Sequence, residues 1–226
     1  MNTLTSMPLA PLLDRLFAEA EAAGFSTMPP AAAAYWNGLS DEEKAQTMRS
    51  KTGYREFYAQ MKDLPLPVSR ETGVMLHMLA RSNRATSIVE FGTSFGLSTL
   101  YLAAALRDNG GGRLITSEFE PAKVARARAN LEAAGLADLV EFREGDALET
   151  LARDLPEAID LVLLDGAKGL YSDILDRLEP RLRPGSLIVA DNADYCPEYL
   201  GRVRDPAQGY LSVPFADDVE LSMKLG

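Results

Sequence analysis

The stretch IDLVLLDGAKGLY, residues 159–171, decides the fold. Between Ile159 and Leu164 only Asp160 is polar, and the run ends abruptly at Asp165–Gly166. An apolar run this short, closed by turn residues, reads as a strand covered on both faces. Outward from it the pattern repeats. SIVEF (87–91), RLITSE (113–118), LVEFR (139–143) and SLIVAD (186–191) are further strand candidates. Residues 97–107, 121–134, 147–154 and 170–182 lie between or beside them as helices. Pro121 suits a first helical turn, and Gly135 and the run 110–112 suit helix ends. Strands alternating with helices predict an α/β fold: a Rossmann-like, doubly wound, mostly parallel seven-stranded sheet. The tail differs. GYLSVPF and VELSMKL flank ADD, which predicts an antiparallel hairpin at the sheet edge.

Upstream, residues 1–68 form a helical preface to the main domain, 69–226. Leu9, Leu12, Leu13, Leu16 and Phe17 recur at helical spacing and predict a helix over 8–23, ended by Gly24 and the pair Pro29-Pro30. The run Ala31–Ala34 is helix or linker. Ser40 with Glu43 has the form of a capping box. Helix resumes over 54–61 until LPLP stops it. Ser69 caps RETGVMLHMLARS, whose apolar side is assigned to Val74, Leu76, Met78 and Leu79. His77, the only histidine, reads as a packing or half-exposed residue. Trp36, Tyr54, Tyr58, Met61 and Tyr195 are candidate pocket walls, with core or dimer interface as the alternative.

The chain has 226 residues, enough for one large domain with an appendage. Its net charge of −10 argues against a nucleic-acid partner, since a phosphate backbone rewards Lys and Arg. One cysteine, Cys196, allows no intrachain disulfide, fits a reducing cytoplasm and reads as apolar filler. The N-terminus has no basic segment before its apolar positions, so no secretory leader is expected. No apolar stretch of about 18 residues occurs, so no membrane span is expected.

Open parallel sheets bind ligands beyond the carboxyl ends of their strands. The first strand leads into EFGTSFGLST, where Gly92 and Gly96 allow close backbone approach; the spacing is not GxGxxG. The second ends in Glu118, placed to accept from a ribose diol or to stabilise the next helix, a role Glu120 fits better. After the third come Gly145, Asp146 and Ala147, a turn beside an adenine edge or a helix N-cap. The fourth and fifth deliver Asp165, with Lys168 behind it, and Asp191–Asn192. Three oxygen-bearing side chains at one edge suit a hard divalent cation, the alternative being turn formers. One Cys and one His are too few for a softer site.

The segments VEFGTSFGLSTL, LITSEFEPAKVARA, LVEFREGDALETL, DLVLLDGAKGLY and LIVADNADY resemble, in this order, the cation-dependent O-methyltransferases. This is the catechol and caffeoyl-CoA O-methyltransferase group of class I S-adenosylmethionine enzymes. The resemblance implies that Glu90, Gly92, Thr93 and Ser98 line the methionine part of S-adenosylmethionine. Glu118 would hold the ribose, Asp146 and Ala147 would border the adenine, and Val68 would touch the cofactor near its reactive end. Asp165, Asp191 and Asn192 would bind Mg²⁺ or another divalent cation such as Ca²⁺ or Mn²⁺, with Asp165 also near the cofactor. Lys168 would be the general base. Asp194 receives no role. The sequence departs from the family at Gly166 and Ala167, and at Gly169, where an Asp is usual. The acid that helps hold catechol has Asp217 or Asp218 as candidates.

The implied activity is metal-dependent methyl transfer to a hydroxyl of a small, catechol-like aromatic, by a cytoplasmic homodimer with no membrane or nucleic-acid partner. The competing readings are a nucleotide-binding oxidoreductase, which the missing GxGxxG disfavours, and a non-catalytic S-adenosylmethionine-binding module. A nucleic-acid methyltransferase is disfavoured by the charge and by the lack of an Asn/Asp-Pro-Pro-aromatic motif.

Overall fold

Seven strands form one sheet in the computed structural model, which describes residues 2–23, 30–216 and 218–226. Gly24, Pro29 and Asp217, assigned roles above, lie outside the described residues. In chain order the helices are α1 (Leu9–Ala23), α2 (Pro30–Gly38), α3 (Asp41–Met48), α4 (Tyr54–Ala59) and α5 (Arg70–Ser82). Then β1 (Ser87–Phe91), α6 (Leu97–Asp108), β2 (Arg113–Glu118), α7 (Pro121–Ala133), β3 (Val140–Glu144) and α8 (Ala147–Thr150) alternate. They are followed by β4 (Ile159–Leu164), α9 (Tyr171–Leu178), β5 (Leu182–Ala190), α10 (Pro197–Val203), β6 (Tyr210–Phe215) and β7 (Val219–Lys224).

The sheet order is β3-β2-β1-β4-β5-β7-β6. The first five pair in parallel, and β7 runs antiparallel to both β5 and β6. The order reverses between β1 and β4, which opens a crevice at their carboxyl ends. Side chains alternate along each strand and split the core in two. Ile88, Leu114, Leu161, Leu163 and Val189 meet α1, α5 and α6 on one face. Val89, Ile115, Val162, Leu164 and Ile188 meet α9 and α10 on the other.

Local chemistry explains the helix ends. Ser40 and Glu43 form the capping box of α3, and the Ser69 hydroxyl accepts from the Thr72 amide to start α5. His77 is buried, with Nδ1 at 3.2 Å from the Tyr101 carbonyl, so it packs α5 on α6. Four expectations shift. The helix placed at 147–154 is one turn, because Leu151 is drawn into the core and residues beyond it turn away. The helix placed at 170–182 is α9 plus a 3-10 turn at Glu179–Arg181, where Pro180 removes a backbone donor. Pro30 opens α2 instead of ending a helix, and the alanine run lies inside α2. On α5, Val74 and Met78 face outward, 42% and 62% exposed, while Leu76 and Ala80 take the core positions.

The preface divides. Leu9, Leu12, Leu13, Leu16 and Phe17 of α1 are buried in the core beside α6. By contrast α3 and α4 stand over the crevice, tethered by Lys51 to Asp173 at 2.8 Å and to Glu198 at 3.3 Å. Gly169 permits this closeness: a Cβ there would lie 2.5 Å from the Arg49 carbonyl oxygen. No helix of the described residues is long and apolar enough to cross a membrane.

Candidate active site

The loop after β1 is held from behind by a buried acid. Glu90 points to the α6 face, where it accepts from Ser98 at 2.6 Å, Thr99 at 2.7 Å and Thr116 at 2.6 Å. Burial pushes its carboxyl up to about 7, against the lowering effect of these hydroxyls. Thr93 bonds Thr116 at 2.5 Å. Glu90, Thr93 and Ser98 are therefore packed behind the loop wall and line neither of the cavities below. Gly92 lines the front. Its φ is +100°, and an added Cβ would lie 2.5 Å from the Asp165 carbonyl oxygen, so only glycine lets β1 and β4 close here.

That front is a narrow trench. It is lined by Gly92, Glu118, Asp146, Ala147 and Asp165 among the sequence-assigned residues, and by Ser94, Phe119 and Lys123, which sequence reading missed. Glu118 accepts from the amides of Ser94 at 2.9 Å and of Phe119 and Glu120 at 3.0 Å. Glu120 is the N-cap of α7. Asp146 caps α8 through the Leu148 amide at 2.9 Å and also lines the trench. The same carboxylate accepts from the Tyr54 hydroxyl at 3.1 Å and from Arg55, both on α4. Helix α4 thus closes over the trench.

A second cavity of about 540 Å³ opens beside it. Trp36, Phe57, Tyr58, Met61, Leu64 and Val68 supply apolar walls, and Asp165, Lys168, Asp191, Asn192 and Asp218 form the polar end. Trp36, Tyr58 and Met61 were pocket candidates; Tyr54 lines the trench instead, and Tyr195 lines neither.

The polar end follows from the strand register. Leu164 pairs with Ala190, so the next residues, Asp165 and Asp191, arrive side by side. Burial and the Asp165 charge push the Asp191 carboxyl up to about 7. Asn192 sits in the left-handed region at φ 49°, which Asn tolerates. It donates Nδ2 to Asp218 at 2.9 Å, which leaves its oxygen for a ligand. Lys168 donates to Asp165 at 2.9 Å and to the Tyr171 hydroxyl at 3.0 Å, and Tyr171 donates to the Asp191 carbonyl at 2.7 Å. Burial works against the Lys168 charge, but Asp165 and its neighbours outweigh it and hold the lysine's pKa above the ordinary value. Cys196 is buried beneath, its Sγ 3.1 Å from the Lys168 carbonyl oxygen, and burial pushes the thiol up to about 12.

Residues 89–193 match the model of a methyltransferase domain family. A catechol O-methyltransferase of Niastella koreensis is 38% identical over 130 residues, 56% of this chain and 58% of that one. A catechol O-methyltransferase of Mycobacterium tuberculosis is 37% identical over 131 residues, 58% of this chain and 59% of that one. The chain thus spans under two thirds of the length of these relatives. Among solved structures, the O-methyltransferase TomG from Streptomyces achromogenes, in complex with SAM, is 29% identical with a TM-score of 0.57. That match covers 90% of this chain and 99% of TomG. The sheet order, the acids at its strand ends and these likenesses agree: residues 89–193 are similar to a methyltransferase domain family, and the chain resembles the catechol O-methyltransferases.

Proposed function

We propose that this chain transfers a methyl group from S-adenosylmethionine to a hydroxyl oxygen of a small, catechol-like aromatic, with a divalent cation at the polar end. The observation that carries the reading is that the trench and the apolar cavity meet at Asp165, which lines both. Displacement at carbon needs donor and acceptor held in line, and two adjoining cavities meeting at one point suit that need. In the trench, Glu118 takes the ribose, Asp146 and Ala147 border the adenine, and Gly92 leaves room for the methionine end. Glu90, Thr93 and Ser98 shape the loop from behind. In the cavity, Trp36, Phe57 and Met61 pack the acceptor ring.

The donor set fits a hard cation. Among the described residues no three His, Cys, Asp or Glu side chains form a group that could hold a metal ion by themselves. Two carboxylates and a carboxamide, on Asp165, Asp191 and Asn192, line the same end of the cavity, and burial together with the Asp165 charge raises the Asp191 carboxyl. Asp165, Asp191 and Asn192 would hold the ion. A divalent cation held there would orient vicinal hydroxyls and lower their pKa. Lys168 would accept the acceptor's proton only in its neutral amine form, while the apolar walls exclude water and α2 to α4 act as the lid.

The test is an assay of O-methylated product from a catechol panel with S-adenosylmethionine, with and without EDTA. Product that disappears with EDTA and returns with Mg²⁺, Ca²⁺ or Mn²⁺ supports the reading. Undiminished turnover in EDTA removes the cation from it, and failure to methylate any hydroxylated aromatic removes the activity.

A further inference from the structure

Three residues line both the trench and the cavity: Tyr58, Leu66 and Asp165. They mark the junction at which a methyl group would pass. Asp165 has its role and Leu66 is apolar, but Tyr58 brings a hydroxyl. That hydroxyl is buried and has no hydrogen-bond partner among the described residues. The backbone N–H of Lys168 and the charges of Lys168 and Asp165 act on its oxygen from nearby, yet the O–H proton meets no acceptor in bonding geometry. Ser87 and Tyr199 also carry a buried hydroxyl without a partner in bonding geometry, and neither residue lines either cavity.

A buried hydroxyl left unpaired costs about 1–3 kcal/mol, so the position calls for a ligand. The ring is braced where it stands. Phe57 meets it edge-on at 5.0 Å, and Trp36 lies 5.1 Å from Phe57. The ring is therefore held at the junction with its hydroxyl proton uncommitted.

We propose that the Tyr58 hydroxyl donates a hydrogen bond to an oxygen of the bound acceptor and so fixes which of two neighbouring hydroxyls faces the methyl donor. Tyr58 is a substrate-positioning residue of this chain. The inference rests on the methyl-transfer reading above.

Tyr58→Phe tests it, because the change keeps the ring and removes only the hydroxyl. A purely structural tyrosine would leave turnover untouched. The expected result is an unchanged or higher Tm and unchanged S-adenosylmethionine binding. With an unsymmetrical catechol, KM rises about tenfold, as loss of one net hydrogen bond implies, and the ratio of the two O-methyl isomers moves toward one. Wild-type KM and isomer ratio in Tyr58→Phe overturn the proposal. If wild-type protein methylates no catechol, the methyl-transfer reading has failed, and binding decides for Tyr58. Trp36 is the only tryptophan and lines the cavity, so its fluorescence reports occupancy. Weaker quenching by 3,4-dihydroxybenzaldehyde in Tyr58→Phe supports the hydrogen bond; equal quenching, or none in wild type, overturns it.

Discussion

Lys168 Nζ lies 2.9 Å from Asp165 Oδ1, with only 4% and 13% of the two side chains exposed. The pair joins the residue proposed to accept a proton to a residue proposed to hold a cation. It explains why an ammonium can sit under the floor of an apolar cavity: its neighbours carry the opposite charge.

Replacing Lys168 by Met removes the proposed proton acceptor while keeping the bulk of the stem. Methyl transfer is expected to fall by about two orders of magnitude or more, the usual contribution of a positioned base. S-adenosylmethionine affinity is expected to stay near the wild-type value. Single-turnover rates and calorimetric titration of the donor separate the two; full turnover in the variant excludes the base role.

Glu90 and Asp191 give the metal-free protein an unusual dependence on pH. Both carboxyls are pushed up to about 7 by burial, from 4.5 and 3.8. The folded state therefore binds more protons than the unfolded chain between about pH 4.5 and 7, and stability falls as pH rises through that window. The Glu90 share is at most about 3 kcal/mol. Urea unfolding in EDTA from pH 5 to 8 reads the slope. Excess Mg²⁺ should flatten the Asp191 share, and Glu90→Gln the other. A stability that climbs across the window contradicts both assignments.

Arg55 reaches across the trench to Asp146 from an exposed position on α4. An exposed ion pair of this kind contributes roughly 1 kcal/mol or less to stability. Arg55→Ala is therefore expected to leave Tm nearly unchanged but to speed release of S-adenosylhomocysteine several-fold. Stopped-flow release is the measurement, and an unaltered rate means that the contact does not guard the trench.

Gly169 stands where an acid is usual in the family the chain resembles. A Cβ at this position would press on the Arg49 backbone. Gly169→Asp should loosen the segment between α3 and α4, raise the acceptor KM and leave donor binding intact. An unchanged KM would show that the lid does not depend on this approach.

The sheet was legible in the sequence because its strands are short apolar runs closed by Asp, Gly or Glu. The limits of β1 and β2 coincide with the expected ones. Asp165 and Asp191 were legible as neighbours because both directly follow paired strands. What escaped depends on which face a side chain takes or on partners far along the chain. The resemblance put Glu90 beside the methionine part of the donor, and no local signal told that β1 turns it toward the hydroxyls of α6. Ser94 carries no pattern of its own and enters the trench through the backbone it lends to Glu118. Tyr54 and Asp146 are 92 positions apart, and no local signal joins them. Val74 and Met78 fit helical spacing, yet the stripe that packs on α6 is rotated away from them.

Helix α4 is six residues long and faces two cavities at once: Tyr54 and Arg55 lean toward the trench, Phe57 toward the larger cavity, and Tyr58 toward both. Inheritance must therefore treat it as one piece. A substitution that reshapes the acceptor's room also moves the door of the donor's room. On the methyl-transfer reading, changes of acceptor preference that pass through α4 will carry a shift in donor affinity with them.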